Sequence, residues 1–188
     1  GKLLTDNTPS TPVQLARNLR AYWKLDDGLE EPFSLTNEDV ESVSSGRLFG
    51  YGSQPSWIAG PEARAGGALR FDGINDYVKI PTNAALNIGT NAVTLSLWVK
   101  LTTLPSALTN GYAAIYDDRD VDAYCMYLDR AAAELRFKVT DSATYAARPG
   151  IPEALLQTGV WHHVVGVFNG SASPVAGQAL IFLDGRFV

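Results

Sequence analysis

Between Val93 and Leu101 apolar and polar residues alternate one for one: Val93, Leu95, Leu97 and Val99 against Thr94, Ser96, Trp98 and Lys100. Successive side chains on an extended strand point to opposite faces, so this stretch is predicted to be a strand with one core face and one mixed face. Glu134 to Val139 repeats the pattern, with Leu135, Phe137 and Val139 against Glu134, Arg136 and Lys138, and its second face must meet water. Shorter apolar runs read as further strands: Leu19 to Leu25, the vicinity of Leu48-Phe49, Ala68 to Phe71, Tyr77 to Ile80, Ala113 to Tyr116, Ala123 to Leu128 and Gln178 to Leu183. Turn formers separate them. Asp72-Gly73-Ile74-Asn75-Asp76 reads as a hairpin loop, Asp184-Gly185 as a turn, and Asp117 to Asp122 as an acidic loop. Trp161 to Phe168 is apolar on both faces, which predicts a sheet covered by a further layer. About ten short strands, with no helix of normal length and no internal repeat, predict an all-β sandwich or jelly roll.

A chain of 188 residues suits one large domain of this class. Charged residues make up only 19%, and the polar remainder is rich in turn formers, as a fold of many short strands requires. Residues 1–18 read as an extended linker or lead-in: Thr5 to Pro12 is polar, carries Pro9 and Pro12, and has no apolar period. The domain proper is therefore expected at residues 19–188. A net charge of −5 gives no basic footprint for nucleic acid or anionic lipid. No apolar run is long enough to span a bilayer. Cys125 is the single cysteine, so an intrachain disulfide is impossible; its apolar surroundings predict an inert thiol. The chain opens on Gly1 rather than methionine, as expected of a processed or trimmed chain.

Several segments, in order, resemble the LamG-like jelly-roll domains of the concanavalin A-like lectin/glucanase superfamily. They are Ala21-Tyr22-Trp23-Lys24-Leu25-Asp26-Asp27-Gly28, Gly66-Gly67-Ala68-Leu69-Arg70-Phe71-Asp72-Gly73, Asp76-Tyr77-Val78-Lys79-Ile80-Pro81, Leu95-Ser96-Leu97-Trp98-Val99-Lys100, Gly159-Val160-Trp161-His162-His163-Val164-Val165 and Leu183-Asp184-Gly185. The resemblance implies two curved antiparallel sheets in a β-sandwich. The sequence departs from the family at Val43-Ser44-Ser45-Gly46, where an Asp usually precedes the serines, and by ending at Val188, short of a usual Ile-Asp-Glu-Val-like segment. That end leads us to expect an open strand edge near residues 19–25 or 178–183, available to a partner protein's strand.

The resemblance also implies that the turn after the first strand lies near the Asp72–Asp76 loop. Asp26, Asp27 and Asp76 are then candidate ligands for a structural calcium ion, which takes six to eight oxygens. Asp118, Asp120 and Asp122 echo a calcium loop, but Ala123 stands where the sharp turn needs glycine, so a solvated loop is expected. For carbohydrate, which needs aromatic platforms and hydrogen-bonding groups, Trp98, Tyr116, Asp118, Asp120 and Tyr124 are the candidates. Catalysis is not expected. Glycan hydrolases related to this fold carry Glu-x-Asp-x-Glu on a strand, whereas Glu38-Asp39-Val40-Glu41 has the wrong spacing and Asp118-Arg119-Asp120-Val121-Asp122 lacks Glu. His162 and His163, as strand neighbours, point to opposite faces and cannot share a metal. The functional expectation is a non-catalytic extracytoplasmic module that binds carbohydrate within a larger exported bacterial protein, the alternative being a structural or adhesion module that contacts another protein.

Overall fold

The computed structural model describes residues 19–23, 25, 34–35, 45–50, 55–59, 62–63, 66–84, 86, 92–118, 124–140, 146–170 and 179–188. The lead-in expected at residues 1–18 lies outside them. The chain forms two compact units, Gly1–Leu86 and Asn87–Val188. Every paired strand is antiparallel, and the described residues contain no α-helix.

In the first unit, strands β1 (Ser34–Leu35), β2 (Gly46–Phe49) and β5 (Tyr77–Lys79) form one sheet, and β3 (Ser56–Ala59) pairs with β4 (Gly67–Arg70) in a second. Leu48 and Leu69 are its small core, with Trp23, Leu25, Trp57 and Val78 packed against them. Two expectations fail here. Residues 19–23 are not a strand: Leu19 and Tyr22 are exposed, and Leu25 has a left-handed φ of 63° that breaks an extended run. Asp72–Asp76 does not close a hairpin either, because β4 pairs with β3 and β5 with β2. The loop is held by its own carboxylates instead. Asp72 Oδ1 accepts the N–H groups of Ile74 and Asn75, and Asp76 Oδ2 accepts that of Asp72.

The second unit is a two-sheet sandwich. One sheet runs β14 (Arg186–Phe187), β13 (Ala179–Leu183), β12 (Trp161–Phe168), β6 (Val93–Lys100). The other runs β10 (Ala146–Ala147), β9 (Glu134–Thr140), β8 (Tyr124–Asp129), β7 (Tyr112–Asp117), with β11 (Gly150–Pro152) also paired to β9. The predicted alternation holds: Leu135, Phe137 and Val139 are buried, while Glu134, Arg136 and Lys138 face outward. Across the core, Phe137 lies over Gly166 of β12, where a Cβ would overlap the ring. Val164, Phe168 and Ile181 complete the facing layer. Each such fully buried side chain contributes about 1.5–3 kcal/mol relative to exposure.

The second face of β12 departs from expectation. Trp161, His163, Val165 and Val167 are half-buried, not fully covered. Their shielding includes cross-strand neighbours: Trp98 beside His163, and Phe182 opposite Val165. At the chain's end, Arg186 and Phe187 return along β13, and Val188 N–H donates to Ile181 O. Asp184 and Gly185 make that turn with φ of 50° and 80°, the positive values a tight hairpin of this kind requires.

Candidate functional site

The candidate residues for carbohydrate do not converge. Trp98 stands on the outer face of the β6–β12–β13–β14 sheet. Tyr124 is only 5% exposed, in phase along β8 with buried Met126 and Leu128, so its ring belongs to the core of the sandwich and cannot serve as an open platform. Tyr116, opposite Met126, shares that inner side. The two tyrosines stack with ring centroids 5.3 Å apart and share a hydrogen bond of 3.0 Å between hydroxyls. Burial raises the pKa of both phenols, and for Tyr116 the neighbouring Tyr124, Asp118 and Asp117 raise it further. Asp118 is anchored locally, its N–H donating to Tyr124 O, and Asp120 lies outside the described residues. The phase of Tyr124 with Met126 and Leu128 was the sequence signal for its burial.

Trp98 is the accessible member, 42% exposed. It sits opposite His163 on β12, and the two rings stack 4.9 Å apart at 27°. His163 Nε2 shares a hydrogen bond of 2.9 Å with Ser96 Oγ, two residues along the same face of β6. In the neighbouring row Lys100 holds its ammonium 5.7 Å from the Trp161 ring centre, a cation–π contact. Further across the face, Phe182 meets Phe187 edge to face at 5.7 Å, and Leu180 and Phe187 are exposed. The face thus combines an aromatic and polar end at β6 with an apolar end at β13–β14.

The adjacent histidines point to opposite faces. His162 is buried, and both its nitrogens are used. The backbone N–H of Gln157 can only donate, so Nε2 accepts from it at 3.1 Å and Nδ1 carries the proton that goes to Asp184 Oδ2 at 2.9 Å. The other oxygen, Asp184 Oδ1, accepts the N–H of His163, and Asp184 N–H donates back to His163 O. Partial burial raises the Asp184 pKa, but the His162 and His163 contacts outweigh it and hold the carboxyl below its ordinary value. Sequence reading treated Asp184 as a turn former alone; nothing local to Asp184-Gly185 signals the reach to His162.

Of the three candidate calcium ligands, Asp26 and Asp27 lie outside the described residues. Asp76 carries the feature a cation would satisfy: its Oδ1 is buried with no hydrogen-bond partner. Asp72, by contrast, has Oδ1 engaged by two N–H groups, the larger lowering influence on its carboxyl being that of Ile74. Among the described residues no three His, Cys, Asp or Glu side chains cluster in a way that could hold a metal.

A family model described as the concanavalin A-like lectin/glucanases superfamily matches residues 72–188. The chain belongs to this superfamily. The match takes in the Asp72–Asp76 loop, β5 and the whole sandwich of the second unit, so the facing antiparallel sheets are those of a concanavalin A-like fold. No curated protein and no solved structure matches the chain. The superfamily's description joins lectins with glucanases, and membership is consistent with a carbohydrate- or protein-binding module without deciding between binding and hydrolysis. No helix among the described residues is long and apolar enough to cross a membrane.

Proposed function

We propose that this chain is a non-catalytic, extracytoplasmic carbohydrate-binding module, and that a sugar seats against Trp98. The observation that carries the reading is an exposed tryptophan whose orientation is already fixed. Stacking on His163, itself tied to Ser96, holds the ring before any ligand arrives, so little rotamer freedom remains to be lost on binding. The ring edge and remaining surface offer apolar contact to sugar C–H groups, while Ser96 and His163 offer polar contact. The non-catalytic part rests on the sequence, which lacks the alternating Glu-x-Asp-x-Glu strand of related hydrolases. Placement outside the cytoplasm, within a larger exported protein, belongs to the same proposal and is supported by the superfamily match.

A structural calcium ion is part of this reading. Asp76 Oδ1 supplies one anionic oxygen, and Asp26 and Asp27 are proposed to supply others. The ion's role would be to tie loops, with no part in recognition.

A second reading, contact with another protein, is favoured by the apolar end of the same face, where Leu180 and Phe187 are exposed. A glycan array probed with the intact chain and with Trp98→Ala separates the two. Glycan signal lost in the variant supports the sugar reading, whereas no glycan signal from the intact chain overturns it and favours a protein partner.

A further inference from the structure

Strands β2 and β5 of the first unit present a face of four side chains in two cross-strand pairs. Leu48 and Val78 turn inward to the small core of this unit. Their neighbours Arg47, Phe49, Tyr77 and Lys79 therefore turn outward, and all four are exposed. The register sets Phe49 opposite Tyr77 and Arg47 opposite Lys79. The two rings stack with centroids 5.2 Å apart at 13°, and they are 37% and 51% exposed. The two cations gain nothing comparable from each other. Like charges directly opposite on neighbouring strands destabilise a sheet. Among the described residues neither Arg47 nor Lys79 has an acidic partner, although the chain carries a net charge of −5. Lysine on an edge strand deters pairing with other chains, which accounts for Lys79 on β5. That reason does not reach Arg47, which stands on β2, the central strand of this sheet.

We infer that this face binds an extended peptide segment of another protein, in which an acidic residue and an aromatic residue stand two positions apart. The opposed cations call for an anion. A carboxylate seated between Arg47 and Lys79 offsets their mutual repulsion, and a guanidinium can meet it with two parallel N–H donors. The stacked rings in the next row offer apolar surface whose orientation is set before any partner arrives. Residues two apart on a strand share a face and lie about 7 Å from each other. Arg47 and Phe49 therefore match an acid and an aromatic at the same interval in a partner strand, as do Lys79 and Tyr77. Charge favours a short acidic segment over a long polyanion. Nucleic acid and similar polymers are held by many cations in a row, whereas this face has two and the chain as a whole is acidic.

These four residues belong to the first unit and Trp98 to the second, so the two sites can fail independently. The test titrates the full 188-residue chain, isotopically labelled, with the end-capped peptide Thr-Glu-Thr-Phe-Thr while backbone amide signals are followed. The expected result is saturable shifts at Arg47, Phe49, Tyr77 and Lys79, retained in Trp98→Ala and absent with the peptide Thr-Lys-Thr-Phe-Thr. Lys79→Glu should weaken peptide binding about tenfold. The same substitution turns a like-charge pair into an opposite-charge pair, so it should raise the melting temperature of the free chain. Binding and stability then move in opposite directions, which a merely structural lysine would not produce. No saturable shift with the glutamate peptide would overturn the site, as would equal shifts with the lysine peptide. A lowered melting temperature in Lys79→Glu would overturn it too, because Lys79 would then have a partner in the folded chain. Tighter binding of heparin or of phosphatidylserine vesicles than of the peptide would contradict a peptide partner and give the face to a polyanion or a membrane surface.

Discussion

Gly166 and Phe137 meet across the sandwich with no room for a methyl group between them. Phe137 is wholly buried and held on its own strand by paired neighbours, so the ring has no open space into which to retreat. Gly166→Ala should therefore destabilise the chain by about 1–3 kcal/mol, the usual range for an overpacked core. Denaturant melts check this. Combining it with Phe137→Leu should recover part of the loss, because the smaller side chain removes the overlap. A neutral Gly166→Ala variant would mean that the two sheets separate more readily than this packing allows. The residue scale is also where sequence reading was least reliable. Trp98 was legible as exposed because it alternates with Leu97 and Val99. Residue type makes Tyr124 a candidate ligand contact, whereas its spacing from Met126 and Leu128 marks it as core. Arg136 was legible as outward-facing, but not its partners, because Asp129 comes from the neighbouring strand and only strand register brings it near.

The β13–β14 hairpin joins two sequence signals, the His-His pair and Asp-Gly, into one unit. Asp184 turns the chain and also holds buried His162 in one tautomer while bonding the backbone of His163. Replacing it by asparagine preserves the positive φ that the turn needs, since Asn tolerates that region. The amide offers one oxygen to two donors, so either His162 Nδ1–H or His163 N–H loses its partner, at a cost of about 1–3 kcal/mol. The pH dependence has a definite sign. A carboxyl whose folded pKa is lowered adds stability that is present above its unfolded pKa, near 3.8, and is lost as pH falls through the lowered folded value. Melting temperatures of Asp184→Asn should consequently be lower at neutral pH and fall less steeply on acidification than those of the parent chain. Equal acid slopes would show that this contact carries no linked stability. Among the elements, β6 and β9 are legible because eight and seven residues leave a clear period of two, and β12 because eight residues are apolar on both faces. Strands as short as β10 and β11 show no period and were missed. The run from Leu19 looked like a strand by composition, yet a left-handed Leu25 is invisible to composition. A Gly/Asn/Asp cluster signals that the chain turns at Asp72–Asp76 without saying which strands flank it as partners.

At the scale of the whole molecule, fold class was the most legible property, since many short strands with turn chemistry between them admit few architectures. The division into two units at Leu86–Asn87 falls within Pro81 to Asn91, a stretch rich in Asn, Thr and Gly that by composition looks no different from the other turns of the chain. Calcium, if bound through Asp76, stabilises the native state by mass action, so the melting temperature should rise with calcium concentration and fall in chelator. Asp76→Asn should flatten that dependence. Coincident melts in calcium and chelator would remove the ion from the account. The claim that organises the rest is recognition of carbohydrate at Trp98, and calorimetric titration tests it most directly, using the glycan that gives the strongest array signal. Saturable binding by the parent chain is expected, with Trp98→Ala weakening affinity at least about tenfold while the variant stays folded. Undiminished affinity in Trp98→Ala, with the variant fully folded, would contradict it.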